Sequence, residues 1–129
     1  MESYRVDKDS LGEVKVPSNA YYGPFTVRAS NQYKVTGQKP HVNMIKAFAM
    51  IKRSAALANK NLSVLPAEKA DAIVKACDEI LCGHLLDQFI VDSINSGAGT
   101  AFNMNINEVI ANKALEITGH RIGEYSFIN

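Results

Sequence analysis

The sequence predicts a mainly α-helical domain that follows an extended amino-terminal arm. Three stretches repeat apolar residues every three or four positions, which is the period of helices with one buried face. In the arm, spaced apolar residues are interrupted by 9–12 (Asp-Ser-Leu-Gly) and by Pro17, a pattern typical of short strands or loops. The 129 residues, 47% hydrophobic and 21% charged, suffice for one globular domain with a buried core.

The arm gives way to helical sequence at a turn. Residues 21–24 (Tyr-Tyr-Gly-Pro) favour a turn, and a short helix is predicted over about 25–33, ending before Gly37. We therefore expect an extended arm over residues 1–24 and a helical part over 25–129.

The first long helix is predicted over about 40–62. Pro40 suits a first helical position, because the N–H that proline lacks would have no partner there in any case. The expected buried stripe has spacings of three and four and consists of Ile45, Phe48, Ile51 or Lys52, Ala55, Ala58 and Leu62.

A second long helix is predicted over about 66–82. Pro66 opens it, and Gly83 fits the position just beyond its end. Its expected buried face consists of Ala70, Ile73, Val74, Cys77, Ile80 and Leu81.

The last helix is expected to begin near Asn103 or Asn105 and to run to Thr118. Asn105, followed three residues later by Glu108, resembles a capping box, and Gly119 suits the position beyond the helix. Asparagine is a poor helix former, so the other asparagines of this segment need solvent or a polar partner across a helix interface. The expected core face consists of Ile106, Val109 or Ile110, Ala114 and Ile117.

Charge is unevenly distributed along the chain, although the net charge is only +1. Residues 1–65 carry 10 basic and 4 acidic side chains, a balance of +6, whereas residues 66–129 carry 4 and 9, a balance of −5. Two oppositely charged halves that pack together explain this pattern, and a basic face for an acidic partner or substrate is the alternative. No run of five like charges occurs, and the longest apolar run, 47–51, has five residues, so neither nucleic acid nor a membrane is an expected partner.

The cysteines and histidines indicate no metal site. Cys77 and Cys82 are expected to be reduced thiols of a cytoplasmic protein, one facing the core and one at its boundary, since the amino terminus lacks the apolar stretch of a signal peptide. His41, His84 and His120 are expected at the surface or in supporting roles.

The segment that carries chemistry is 96–105 (Ser-Gly-Ala-Gly-Thr-Ala-Phe-Asn-Met-Asn). Glycines let the backbone approach a ligand, and the free N–H groups at the start of the following helix, with its dipole, bind carboxylate or phosphate. Thr100 adds a hydroxyl and Asn103 an amide. No basic side chain lies in the loop, which favours a small anion held by directional hydrogen bonds. A simple turn before a helix is the alternative, and neither the Walker A nor the dinucleotide motif is present.

Residues 96–116 resemble the first signature of the aspartase/fumarase superfamily. Further segments similar to that family are 9–17, 20–23, Thr26-x-Arg28-Ala29, 58–60, 76–79 and 87–92. Residues 119–125 and Asn129 are more similar to aspartate ammonia-lyase than to class II fumarase.

The resemblance implies the amino-terminal domain of that fold, without the central helical-bundle and carboxy-terminal domains. It also implies a homotetrameric parent enzyme that converts L-aspartate to fumarate and ammonia without a cofactor. Thr100 matches the threonine that contacts the substrate carboxylate, and Gly99 gives backbone access. Asn103 is a further candidate for substrate binding, although a cap or interface role is the stronger expectation. No catalytic residue is expected in this chain, because the family's serine loop lies in a later domain.

Ala101 and Phe102 depart from the family pattern. Ala101 is expected to remove a hydroxyl donor, and Phe102 to add bulk beside the site. Two other functions stay open from the sequence. One is a class II fumarase or another lyase of succinyl-type substrates, and the other is a non-catalytic interaction module.

Overall fold

In the computed structural model, which describes residues 3–129, the arm is a β-hairpin. Strands β1 (Tyr4–Asp9) and β2 (Gly12–Pro17) pair in antiparallel register, with Tyr4 opposite Pro17 and Asp9 opposite Gly12. The arm is extended, as predicted, and of the two forms that its pattern allows, short strands or loops, it adopts paired strands. The turn between them explains this, because the Asp9 carboxylate accepts a hydrogen bond from Leu11 N at 2.8 Å and Gly12 adopts a φ of +115°. Residues 1 and 2 lie outside the described residues.

A short helix, α1 (Pro24–Gln32), follows close to the predicted position. Pro24 suits its first turn, and Gly23 precedes it without a side-chain cap. A Cβ at Gly23 would lie 2.2 Å from the hydroxyl oxygen of Tyr125, so only glycine fits where the chain enters α1.

Helix α2 spans Val42–Asn61 and begins two residues later than predicted. His41 caps it, because the imidazole Nδ1 accepts a hydrogen bond from Asn43 N at 3.1 Å. The predicted buried stripe is partly wrong. Ile45 is buried, and Phe48 and Lys52 are half-buried, as expected, but Ile51, the alternative to Lys52, is exposed. Three further stripe positions are exposed as well: Ala55, Ala58 and Leu62. Two adjacent faces of α2 are apolar, and the one that packs inward contains Ala49 and Ala56.

Helix α3 spans Ala67–Leu81 and packs most extensively against α2. Gly83, with a φ of +97°, lies just beyond its C-cap, as predicted. The buried residues are Ala70, Ala72, Ala76, Cys77 and Ile80, with Ile73, Val74 and Leu81 half-buried, which confirms most of the expected face. Two ion pairs join α2 to α3, and they support the interpretation that the oppositely charged halves pack together: Arg53–Asp78 at 2.7 Å and Lys60–Asp71 at 2.6 Å.

After a short 3-10 helix (Leu86–Gln88), α4 (Thr100–Ile117) forms the centre of the domain. Its predicted start is wrong by three to five residues, and so is the capping box, since Asn105 and Glu108 are buried inside the helix. Gly119 adopts a φ of +75° beyond the C-cap, as predicted. The four helices and the hairpin therefore make a mainly α-helical domain with an extended arm, as expected.

The core is built around α4. The largest fully buried side chains of the core are Phe89, Phe102, Ile80, Ile106 and Leu115. Phe48 of α2 meets Phe102 edge-on, with 4.8 Å between the ring centroids, and so joins the two helices. Within residues 3–129, no helix combines the length and the apolar character that crossing a membrane requires.

Candidate functional site

Asp92 anchors the loop that precedes α4. Its carboxylate accepts hydrogen bonds of 2.8–3.0 Å from the backbone N–H groups of Val35, Thr36, Gly37 and Ile94, and from the hydroxyl of Thr36. These donors, first among them the Ile94 N–H, hold the pKa of Asp92 well below its ordinary value. The loop is thereby attached to the segment between α1 and α2.

Gly99 turns this loop sharply into α4. It is the N-cap residue, with φ and ψ of 72° and 12°, a left-handed conformation that strains any residue with a side chain. The Gly99 N–H donates to the carbonyl of Ser96 at 2.8 Å, and the Ser96 hydroxyl accepts from Ala101 N at 3.3 Å. A Cβ at Gly99 would meet nothing within 4 Å, so the space in front of this turn is open.

Thr100 is the first residue of α4, and its side chain is exposed. The backbone N–H groups of Thr100 and Phe102 have no hydrogen-bond partner in the described part of the chain. The positive end of the α4 dipole lies behind them. The structure thus brings Gly99 and Thr100 together at the start of a helix, where a hydroxyl and free N–H groups suit a small anion.

Asn103 lies one turn further along α4 and is not a cap. Its Oδ1 accepts a hydrogen bond from Lys52 Nζ of α2 at 2.8 Å, so it is an interface residue. Lys52 was missed as a site residue, because the sequence places no basic side chain in the loop itself. It supplies a cation from a neighbouring helix.

The expected effects of Ala101 and Phe102 on the site are wrong. Ala101 is buried in a small cluster with Ala29 and Val91, and Phe102 packs on Phe48 in the main core. Both side chains therefore point into the domain. A hydroxyl at position 101 would not face the open space in front of Gly99, and the ring of Phe102 adds no bulk there.

Glu108 is a second residue whose role was missed. Its buried carboxylate accepts hydrogen bonds from the backbone N–H groups of Gly23, Phe25 and Thr26 at 2.8–3.0 Å, and from the Thr26 hydroxyl at 2.6 Å. It thus occupies the place of the cap that α1 lacks and fixes α1 against α4. The one feature of the sequence that points to this role of Glu108 is that Gly23 has no side chain with which to cap α1.

The two buried asparagines of α4 bind backbone groups outside the four α-helices, whereas Asn103 has a polar partner across a helix interface, one of the two surroundings that the sequence predicts. Asn105 Nδ2 donates to the carbonyl of Gln88 at 3.0 Å. Asn112 Nδ2 donates to the carbonyl of Tyr21 at 2.7 Å, and its Oδ1 accepts from Gly123 N at 2.9 Å. These amides satisfy backbone groups that would otherwise be buried without partners.

The cysteines and histidines lie in the core, at helix ends or in packing contacts, and they form no metal site within residues 3–129. Cys77 is buried, and burial raises the pKa of its thiol to about 12, whereas Cys82 is exposed at the C-cap of α3. His120 stacks on Phe127, with 3.8 Å between the ring centroids. No three His, Cys, Asp or Glu side chains among residues 3–129 are grouped so that they could hold a metal ion.

Known relatives cover nearly the whole chain. Residues 12–129 match the model of a family described as Lyase. Aspartate ammonia-lyase from Bacillus subtilis is 53% identical over 124 residues, which are 96% of this chain and 26% of that protein. Fumarate hydratase class II from Halobacterium salinarum is 46% identical over 123 residues, which are 95% of this chain and 26% of that protein. The chain thus spans about a quarter of the length of these curated relatives.

Solved structures show the same arrangement of the hairpin and helices. The native form of fumarate lyase:delta crystallin from Brucella melitensis matches with a TM-score of 0.94 and 46% identity, over 98% of this chain and 30% of that one. Class II fumarase from Schistosoma mansoni matches with a TM-score of 0.89 and 36% identity, over 95% of this chain and 26% of that one.

Proposed function

Because the chain belongs to the aspartase/fumarase superfamily, we propose that it is the amino-terminal domain of an ammonia-lyase that converts L-aspartate to fumarate. The proposed reaction is a reversible β-elimination of ammonia that needs no cofactor. The whole enzyme is a homotetramer in this proposal, and the central and carboxy-terminal domains supply the base. This chain contributes the loop that binds a substrate carboxylate.

The start of α4 carries the proposal. Removing a proton from the carbon beside the β-carboxylate sends an electron pair into that group, which becomes a dianionic aci-carboxylate. Catalysis requires donors aimed at the charge that develops there. The exposed hydroxyl of Thr100 and the free N–H groups of Thr100 and Phe102 are such donors, and Gly99 leaves the approach open.

Class II fumarase is the second candidate. The loop recognises a carboxylate, which aspartate and malate share, so it does not select between an amine and a hydroxyl leaving group. The match to fumarate hydratase class II from Halobacterium salinarum, at 46% identity, supports this candidate. Assays of the full-length enzyme with L-aspartate and L-malate separate the two.

The role of Thr100 is tested with Thr100→Val in the full-length enzyme. Valine has nearly the shape of threonine but lacks the hydroxyl. If Thr100 donates to the aci-carboxylate, kcat at saturating L-aspartate falls by ~10²–10³-fold, and KM changes less, because the bond strengthens in the transition state.

Thr118→Val is the matched control, since the Thr118 hydroxyl donates to the carbonyl of Ala114 at the opposite end of α4. It should leave kcat unchanged. If Thr100 only stabilises the turn, Thr100→Val lowers the melting temperature and leaves kcat within a few-fold. Parental kcat in Thr100→Val would contradict the proposal.

A further inference from the structure

Lys52 reaches the first turn of α4 from a different helix. It lies on α2, and its Nζ donates to Oδ1 of Asn103 at 2.8 Å. Within the described residues, no carboxylate lies within ion-pair distance of Lys52, whereas the neighbouring Arg53 pairs with Asp78. The Asn103 amide is therefore the group that holds this half-buried ammonium.

The ammonium determines which way the Asn103 amide points. An ammonium has only donors, so the amide must turn its oxygen, and not its NH₂ group, toward Lys52. The Nδ2 of Asn103 then faces away from Lys52, and it has no partner within residues 3–129. Side chains on a helix lean toward its amino terminus, which for Asn103 is the direction of the turn that contains Gly99 and Thr100.

A cavity lies beside the next two turns of α4. Lys52 lines a cavity of about 260 Å³ with Met104 and Asn107, which lie one and two turns beyond Thr100 on one face of the helix. Glu108 also lines this cavity, but the backbone of α1 holds its carboxylate. It therefore does not compete for Lys52.

We propose that Lys52 is a positioning residue for the carboxylate-binding loop, acting through Asn103. It holds the amide so that two further N–H donors face the substrate carboxylate, where the opposite orientation would present a repelling oxygen. This inference rests on the proposed function of the loop. Because the substrate carboxylate is already charged in the ground state, these donors contribute to binding, and the Ki of a probe without a leaving group reports that contribution separately from kcat.

The test uses the full-length enzyme, with succinate as a probe that carries both carboxylates and no leaving group. Lys52→Met removes the donor and keeps much of the packing. We expect it to raise the Ki of succinate by about tenfold, the effect of losing one hydrogen bond to a charged group, and to raise the KM of L-aspartate as well. Lys52→Arg, which keeps the charge and the donors, restores most of the affinity. Lys60→Met, on the same helix, leaves both constants within about twofold.

A double-variant cycle separates positioning from a general structural role. Asn103→Ala alone should raise the Ki of succinate, and adding Lys52→Met should raise it little further, because both changes remove the same donors. Additive effects would overturn the inference, as would an unchanged Ki in Asn103→Ala. If Lys52→Met does not fold, Asn103→Ala and Lys52→Arg decide the question by the same criteria.

Thr100→Val distinguishes the failure of this inference from the failure of the proposed function. If Thr100→Val lowers kcat and the Lys52 and Asn103 variants bind succinate normally, the positioning role is wrong and the proposed function stands. If Thr100→Val leaves kcat unchanged, the loop does not have its proposed function.

Discussion

Asp92 is a buried carboxylate whose charged form is stabilised by backbone N–H groups. Its folded pKa lies below the ordinary value of 3.8, so the unfolded chain takes up the proton first as the pH falls. The stability that Asp92 contributes is therefore fully present above pH 3.8 and is lost progressively below it. We expect Asp92→Asn to unfold at a lower urea concentration than the parent at neutral pH, and the difference to shrink in acid. Urea unfolding from neutral pH to about pH 3 measures this, and a difference that does not change with pH would contradict it.

The role of a single residue could be predicted from the sequence where its partners are close neighbours along the chain. Gly99 and Thr100 lie side by side in the sequence, and the structure keeps them together at the start of α4. The partners of Asp92, Glu108 and Lys52 lie as far as 57, 85 and 51 residues away along the chain. No spacing rule connects residues at such distances, because the fold alone brings them together. For this reason the sequence predicted part of the candidate site but none of the charged residues that support it.

Between elements, Glu108 joins two helices through one carboxylate. Glu108→Gln replaces an acceptor oxygen with an NH₂ group that faces the backbone N–H donors of Phe25 and Thr26. We expect the free energy of unfolding to fall by about 1–3 kcal/mol, the cost of leaving buried donors without an acceptor. Urea unfolding at neutral pH measures this loss.

Glu13→Gln is the control for that substitution. Glu13 is exposed on β2, so the same change of side chain should alter the free energy of unfolding by no more than about 0.5 kcal/mol. Equal losses in the two variants would mean that the contacts of Glu108 with α1 contribute nothing specific.

The helices could be predicted more securely than their buried faces. The predicted ends of α3 and α4 are correct, because the position just beyond a helix is often left-handed and glycine is strongly preferred there. The start of α4 is wrong because Asn105 and Glu108 imitate a capping box, while their side chains in fact bind the backbone of Gln88 and of α1. Helix α4 is also buried on almost every side, so its sequence does not alternate clearly between an apolar face and a polar face.

At the scale of the whole molecule, polar contacts fix the hairpin to the chain that leads from it to α1, and the hairpin also lies against the residues that follow α4. The guanidinium of Arg5 donates to the carbonyls of Pro17, Ala20 and Tyr22 at 2.6–3.0 Å and pairs with Asp7. The buried Asp7 carboxylate lies so close to Gly123 that a Cβ there would be 2.6 Å from it. The helical fold class could be predicted from periodicity, but this attachment could not, since it depends on backbone carbonyls that no side-chain pattern reports.

The chain by itself is expected to have no lyase activity. An anion site holds one carboxylate, but elimination also requires a general base and an oriented second carboxylate, which together contribute several powers of ten in rate. In the proposed function, the general base belongs to a later domain. With excess L-aspartate, ultraviolet absorbance of fumarate should therefore remain at the level of a protein-free blank, whereas the full-length enzyme gives turnover that Thr100→Val reduces. Turnover proportional to the concentration of the 129-residue chain, and retained after repurification, would mean that these residues contain the base themselves.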